Sequence, residues 1–256
     1  MQEIWLTLDL GNSALKGGLF AGERLLHAFN VPIKGVALDV ALEAALEGYR
    51  PSRAAMASVV PALSGRVQEA VARITGRCPA LIGPDWQLPV RLSYQTPHTL
   101  GADRLAAAAA AWVHYGQAGH RPVVVLLAGT ALTLEVIDAT GCFQGGLIAP
   151  GPELLRRALA TGTAQLPEVP LDWPFSPIGR STQEALQAGI LYGFVESACG
   201  LLRRVTTALA AEPVVVLSGG WATLLEPHLG TKVHLEPYLV LEGVRLLLAL
   251  NPERGR

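Results

Sequence analysis

The chain has 256 residues, of which 50% are hydrophobic and 16% are charged, and its formal net charge is -1 at pH 7. That length suits one large domain or two small ones, and the composition provides ample material for a hydrophobic core. Because no run of Lys or Arg is present, neither nucleic acid nor an anionic membrane surface is an expected partner.

The cysteines and the N-terminal region indicate the cellular compartment. Cys78, Cys142 and Cys199 are odd in number and widely spaced, which disfavours a disulfide framework and a cysteine zinc site. Glu3 and Asp9 interrupt the first apolar stretch, so no signal peptide is predicted, and no apolar run reaches the roughly 18 residues of a membrane span. We therefore expect a cytoplasmic protein.

The first predicted element is a β-hairpin at residues 4–20. An apolar run, residues 4–8, leads to Asp9 and a polar turn, after which a second apolar run returns. Gly11 and Asn12 tolerate the backbone conformations of a tight turn. Backbone N–H groups at such a turn can bind a phosphate, and Asp9 can hold the Mg²⁺ that accompanies it. The alternative is a plain hairpin with a capping Asp.

Strands and helices then alternate through the first half. The periodicity predicts strands at 24–31, 54–60 and 80–82 and helices at 36–49 and 61–73. A loop at 94–104 follows and leads into an alanine-rich helix at 105–114, with Asp103 in or near its first turn. A carboxylate there suits the helix dipole, so a structural role and a catalytic role both stay open.

A second hairpin at residues 123–138 repeats the build of the first, with Gly129 and Thr130 in its turn. The two copies are too far apart for a solenoid, so they predict two similar domains, 1–118 and 119–256, that face each other across a cleft. The second half continues with a strand at 143–151, a helix at 153–161, a long helix at 182–209, a strand at 214–217, a glycine turn at 218–220 and a helix at 236–250. The small and apolar residues of the long helix favour either a dimer contact or packing on the protein's own sheet.

Six motifs follow one another in an order that resembles the type III pantothenate kinases, within the acetate and sugar kinase, Hsp70 and actin superfamily. They are residues 9–13 with Lys16, 101–104, 129–131 with Thr133, 145–151, 163–167 and 218–220. The resemblance implies an α/β fold of two actin-like (ribonuclease H-like) domains, each a mixed sheet with flanking helices. No Walker P-loop and no G-x-G-x-x-G pattern is present, so those nucleotide-binding routes have no support.

The resemblance also implies a reaction, the ATP-dependent phosphorylation of pantothenate to 4'-phosphopantothenate in coenzyme A biosynthesis. Asp103 would be the general base and Arg104 would bind the substrate. The ATP phosphates would be held by Asp9 through Mg²⁺ and by Gly11, Asn12, Ser13, Lys16, Gly129, Thr130 and Thr133, with Gly219 and Gly220 near the adenosine. Pantothenate would contact Tyr94, Gly101, Ala102, Asp103, Arg104 and Thr182, the last from the neighbouring subunit of a homodimer.

One position departs from the family pattern. The family usually has an acidic residue two positions before the glycine of the second hairpin, where it holds a monovalent cation (K⁺ or NH₄⁺), and this chain has Leu127 there. Glu135 lies on the returning strand, out of register with Leu127. The alternatives are a kinase that needs no potassium, a weak kinase, or a family member that acts as a ligand-binding regulatory or accessory protein. A kinase for a sugar or another small alcohol would lack the match at residues 101–104.

Overall fold

The structure is a computed structural model that describes residues 3–33, 35, 37–46 and 48–255. Its chain folds into two compact units. The first comprises Met1–Gly119, Gly141–Phe143 and Tyr238–Arg256, and the second comprises His120–Thr140 and Gln144–Pro237. These units differ from the predicted domains 1–118 and 119–256, because the C-terminal helix packs in the first unit.

The first unit is built on a five-stranded sheet with the strand order β3-β2-β1-β4-β5. β1, β2 and β3 form an antiparallel meander, whereas β4 runs parallel to β1 and β5 runs parallel to β4. The elements of this unit are β1 (Ile4–Leu10), β2 (Ala14–Ala21), β3 (Arg24–Pro32), α1 (Leu38–Leu46), β4 (Arg53–Ser58), α2 (Pro61–Thr75), β5 (Ala80–Leu81), β6 (Arg91–Leu92), α3 (Ala102–Ala111) and, near the C-terminus, α7 (Leu239–Leu250).

Alternation along β1 decides which of its side chains enter the core. Leu6, Leu8 and Leu10 are fully buried in a cluster that α1 and α2 help to cover. Thr7 and Asp9 therefore lie on the opposite face of the sheet, since successive side chains of a strand alternate. This pattern places a carboxylate at the carboxyl end of a strand whose other face is anchored in the core.

Helices α3 and α7 pack closely within the first unit. All residues of α3 from Arg104 to Ala111 are buried, and the small alanine side chains allow a second helix to approach. A Cβ on Gly243 of α7 would lie 1.9 Å from the carbonyl oxygen of Ala106, so only glycine fits there. This close contact explains why the C-terminal helix belongs to the first unit. α3 continues into one π-helical turn, Trp112–Gly116.

The second unit repeats the strand connectivity of the first. Its strands are ordered β9-β8-β7-β10-β11, β7 and β8 are antiparallel, and β10 runs parallel to both β7 and β11. Its elements are β7 (Val123–Ala128), β8 (Ala131–Ile137), β9 (Cys142–Pro150), α4 (Pro152–Gly162), α5 (Thr182–Ala208), β10 (Val214–Ser218), α6 (Ala222–Leu225) and β11 (Val233–Leu235). The first two residues of β9 belong to the first unit, where they pair with β6.

Several predicted elements differ from the observed ones at their ends. The predicted helix 36–49 is observed as α1, and its predicted first residue lies outside the described residues. The predicted helix 105–114 begins earlier, at Ala102, so Asp103 lies within its first turn. The predicted helix 236–250 begins at Leu239, and the short strands β6 and β11 were not predicted.

Helix α5 begins with a side-chain cap, since the hydroxyl of Ser181 accepts the backbone N–H of Glu184 at 3.2 Å. Within the described part of the chain, α5 is also the one helix whose length and composition match a membrane span, which the sequence analysis did not predict. Half of its most apolar stretch is buried in the structure.

Candidate active site

Asp9 and Lys16 form a cross-strand pair at the end of the first hairpin. They are direct partners in the antiparallel register of β1 and β2, so their side chains leave the same face of the sheet. Asp9 is half-buried. The adjoining turn is closed by the N–H of Gly11, which donates to the carbonyl oxygen of Ala14 at 3.1 Å. A carboxylate and an amine thus flank a tight, glycine-containing turn.

Asp103 is the second residue of α3, after the N-cap residue Gly101. Its Oδ1 accepts the backbone N–H of Arg104 at 2.8 Å, which satisfies one of the N–H groups that a helix leaves unpaired at its start. The Arg104 side chain is buried, with 6% of its surface exposed. The helix start therefore fixes the direction of the carboxylate and holds a cationic residue beside it.

The surroundings raise the pKa of both carboxyls. Burial, reinforced by the negative charge of Asp103 and opposed by Lys16, raises the pKa of the Asp9 carboxyl from 3.8 to about 7. Burial also raises the pKa of the Asp103 carboxyl, against the lowering effects of the Arg104 N–H, the Arg104 guanidinium and Lys16. Carboxyls whose pKa values are raised mainly by burial, with a charged partner nearby, are characteristic of functional sites.

The donor set at this site fits a Mg²⁺ ion that is bound mainly through its substrate. Mg²⁺ commonly takes one or two protein carboxylates and completes its shell with phosphate oxygens and water. Asp9 supplies one such carboxylate at the turn. No group of three His, Cys, Asp or Glu side chains that could bind a metal by themselves occurs in the part of the chain that the structure describes.

The turn between β4 and α2 also reaches this site, which sequence reasoning missed. Because β1 and β4 are parallel and Asp9 pairs with Ala57, the ends of both strands lie at one edge of the sheet. A Cβ built on Gly101 would lie 3.6 Å from Cγ1 of Val59 and 2.6 Å from Oδ1 of Asp103. A methyl group of Val59 and the carboxylate of Asp103 therefore both border the N-cap position of α3. The rule that ligands bind at the carboxyl ends of parallel strands is the signal that could have found it.

In the second unit, the turn of the second hairpin is enclosed by backbone. Its Gly129 N–H donates to the carbonyl oxygen of Ala131 at 2.9 Å, and the N–H of Gly151 donates to the carbonyl oxygen of Thr130 at 3.0 Å. A Cβ on Gly151 would lie 2.2 Å from the carbonyl oxygen of Gly129, so the end of β9 can approach this turn only through a glycine.

The glycine turn after β10 packs on the same structure. Gly219 has a φ of +106°, and a Cβ there would lie 2.4 Å from the carbonyl oxygen of Ala128. The protein's own backbone thus requires this glycine. No atom outside its immediate chain neighbours lies within 4 Å of a Cβ built on Gly220, so Gly220 is the more open of the two predicted adenosine contacts.

Comparison with known proteins decides the family. Residues 5–204 match the family model described as type III pantothenate kinase. The chain belongs to the type III pantothenate kinase family. A type III pantothenate kinase 1 of Symbiobacterium thermophilum is 38% identical, over 96% of this chain and 96% of that protein. A type III pantothenate kinase of Chlorobaculum parvum is 36% identical, over 96% of this chain and 94% of that protein.

Solved structures agree on the fold. The activator of the 2-hydroxyisocaproyl-CoA dehydratase from Clostridium difficile, with bound ADPNP, has a TM-score of 0.56 and 12% identity, over 97% of this chain and 95% of that one. A ROK family glucokinase from Streptomyces griseus, in complex with glucose and AMPPNP, has a TM-score of 0.55 and 14% identity, over 95% of this chain and 98% of that one. The predicted family and the α/β fold of two actin-like domains are confirmed.

The residues predicted to contact pantothenate in a type III pantothenate kinase lie in both units. In the first unit, Gly101 and Ala102 form the start of α3, and Tyr94 packs edge-on against Phe143, with ring centroids 5.9 Å apart. In the second unit, Thr182 is exposed as the first residue of α5. Their roles toward a substrate stay predictions.

Proposed function

We propose that this member of the type III pantothenate kinase family transfers the γ-phosphoryl group of ATP to the primary hydroxyl of pantothenate. The products are 4'-phosphopantothenate and ADP, and the reaction is the first step of coenzyme A biosynthesis. The observation that carries the proposal is that two carboxyls with raised pKa values, Asp9 and Asp103, lie close enough for Asp103 to act on Asp9, with Lys16 near both, in a chain of this family.

Asp103 is the proposed general base. As the acceptor oxygen forms its bond to the γ-phosphorus and the bond to the ADP oxygen breaks, the proton of the hydroxyl passes to the Asp103 carboxylate. A raised pKa suits this role, because a base works best when its pKa lies near the operating pH. The N–H of Arg104 holds Oδ1 of Asp103 in one direction, and this fixes the base.

The cationic groups of the site have a separate task. Lys16 pairs with Asp9 across the hairpin and lowers the pKa of both carboxyls, and its proposed task is to hold phosphate oxygens beside them. Mg²⁺, when bound with ATP, would neutralise phosphate charge, and Asp9 is the residue that would hold it. The N–H groups at the turn of Gly11 would bind phosphate oxygens, as backbone amides do at such concavities.

The direct test is ATP turnover. Purified protein with MgATP should release ADP only when pantothenate is present, and Asp103→Asn should lower kcat by about 10² to 10⁴, the usual range for loss of a general base. Asp85→Asn is the matched control, because Asp85 is exposed and pairs with Arg254 at 2.9 Å. Unchanged turnover in Asp103→Asn would remove Asp103 from the mechanism. Pantothenate binding without turnover in the wild type would favour a ligand-binding regulatory protein.

A homodimer formed along α5 is part of the proposal. Leu186, Ala188 and Leu191 are buried, so these three residues pack within the protein and not against a second chain. Ala185, Gly189 and Gly193 are exposed at a spacing of four residues, which forms a flat stripe where a second helix can approach closely. In a two-fold dimer this stripe would face its own copy, and Thr182 would reach the partner's acceptor site.

Gly189→Arg tests the dimer. Among the described residues outside the helix, no atom lies within 4 Å of a Cβ at Gly189, so the arginine is accommodated in one chain but would block a facing helix. Light scattering should show a dimer for the wild type and a monomer for Gly189→Arg. Thr207→Arg is the control, because Thr207 is exposed near the other end of α5. A wild-type monomer with full activity would exclude both the dimer and the role of Thr182.

A further inference from the structure

Corresponding positions in the two hairpins carry different chemistry. In each unit, three side chains form a row across the sheet. The central residue lies on the first strand of the hairpin, two positions before the turn glycine. The other two residues lie on the parallel and the antiparallel neighbour of that strand. The rows are Ala57, Asp9 and Lys16 in the first unit and Ser218, Leu127 and Thr133 in the second. Leu127 thus occupies the position that corresponds to Asp9.

With leucine at its centre, the second row does not supply enough oxygen ligands for an ion. Ser218 and Thr133 lie on the two strands that flank Leu127, and neighbouring strands are about 4.8 Å apart, so their Cα atoms are roughly 10 Å apart. The Leu127 side chain lies between them. Ion ligands must converge on one point, at about 2.3 to 2.6 Å for a hard cation such as Ca²⁺. An aliphatic side chain therefore fills the place where a ligand would be needed.

The nearest carboxylate on this face is directed elsewhere. Glu135 pairs with Val125 and is fully buried. Its Oε2 lies 3.1 Å from the position of a Cβ on Gly146, on strand β9, whereas Leu127 lies on β7 at the other side of β8. The expectation that Glu135 is out of register with Leu127 is confirmed.

Thr133 offers a single neutral oxygen. Its Oγ1 is buried and has no hydrogen-bond partner among the described residues. This oxygen is available to a ligand, but a neutral hydroxyl beside an aliphatic side chain does not compensate for the hydration that a cation loses on burial. The residues present at this position therefore do not fit the monovalent cation that the family resemblance implies.

We infer that this protein binds no monovalent cation at the second hairpin and does not depend on K⁺ or NH₄⁺, and that Leu127 is the residue responsible. The activity part of this inference rests on the proposed function, whereas the binding part does not. It predicts that one substitution, Leu127→Asp, creates a cation site between two existing hydroxyl groups. Leu127→Asn is the matched control, since asparagine has nearly the same shape as aspartate but carries no charge.

The test compares matched KCl, NH₄Cl and tetramethylammonium chloride solutions, with melting temperature and pantothenate-dependent ADP release as readouts. Wild type should give the same melting temperature in all three salts and the same rate. In Leu127→Asp, K⁺ at about 100 times its Kd should raise the melting temperature by about 5 °C or more. Leu127→Asn should not respond.

Two results would overturn the inference. A wild type that melts higher in KCl, or that loses most of its activity in tetramethylammonium chloride, would show a cation site despite Leu127. A folded Leu127→Asp variant that stays indifferent to K⁺ would contradict the assignment to this position. If Leu127→Asp does not fold, the wild-type melting curves still decide. Failure of the proposed function is a separate outcome, namely no ADP release with pantothenate in any salt.

Discussion

Replacing Asp9 with Asn should stabilise the metal-free protein at pH 8, although it removes the proposed Mg²⁺ ligand. The pKa of Asp9 is about 7 in the folded chain and 3.8 ordinarily. Between those values the folded state binds a proton that the unfolded state has released, so the stability of the wild type falls as pH rises from about 4 to about 7. Above pH 7 the loss is complete and constant. Asn cannot ionise, so the variant does not undergo this loss.

The size of the effect follows from the shift. About three pKa units at about 1.4 kcal/mol each give an upper limit of roughly 4 kcal/mol. Asp9 is partly accessible to water, so we expect about half of that. For a chain of this length 1 kcal/mol corresponds to about 2 to 4 °C in melting temperature. Asp9→Asn should therefore melt about 4 to 8 °C above the wild type at pH 8.

Thermal melting from pH 4 to pH 8.5 in EDTA measures this difference. The gap between Asp9→Asn and wild type should be smallest at pH 4, widen up to pH 7 and level off above it. MgATP at pH 8 should raise the melting temperature of the wild type more than that of the variant, because only the wild type has the carboxylate. A gap that does not change with pH, or one that widens toward acid pH, would refute the assignment of a protonated, buried Asp9.

Two further substitutions test packing and the acceptor contact. Gly17→Ala should destabilise the fold by about 1 to 3 kcal/mol, because its Cβ would lie 2.0 Å from Cζ of Phe29 on the neighbouring strand. Gly65→Ala in α2, which has open space around its Cβ, should instead be neutral or stabilising, and urea unfolding compares the two. Val59→Thr should raise KM for pantothenate by about 10-fold with little change in kcat. In pantothenate, the carbon next to the reacting CH₂OH carries two methyl groups, and these would pack less favourably against a threonine hydroxyl than against a valine methyl group. Steady-state kinetics against Val40→Thr, at an exposed position of α1, tests this, and equal effects in both variants would contradict a contact with Val59.

Much of the fold could be predicted because its strands and helices carry strong local patterns. Leu6, Leu8 and Leu10 alternate in sequence and are all buried, so the strand β1 and its buried face could both be predicted. The short strands β6 and β11 have two and three residues, too few for any alternation to be recognised. The assignment of α7 to the first unit depends on the fit of Gly243 against Ala106, and periodicity does not report which surface a helix will meet.

The candidate site was predictable only residue by residue. Asp9 and Asp103 were both singled out, yet sequence gives no measure of the combined effect of burial and of the Asp103 charge on the pKa of Asp9. That effect depends on how the chain enters α3 at Gly101, where Val59 and Asp103 approach the same point. The sequence placed Val59 in the predicted strand 54–60. In the structure β4 ends at Ser58, so Val59 belongs to the turn that follows it.

The two hairpins show what a repeated fold holds constant and what it leaves free. Both turns are closed by a glycine N–H that donates to the carbonyl oxygen of an alanine that begins the returning strand, Ala14 or Ala131. The two turns therefore share one pattern of glycine and alanine. The residue two positions before the turn glycine is Asp9 in one unit and Leu127 in the other, and in each unit it lies outside the hydrophobic cluster to which its two neighbours in the strand belong. The shared topology therefore does not make the units equivalent, and the ionisable groups proposed for proton transfer and metal binding all belong to the first unit.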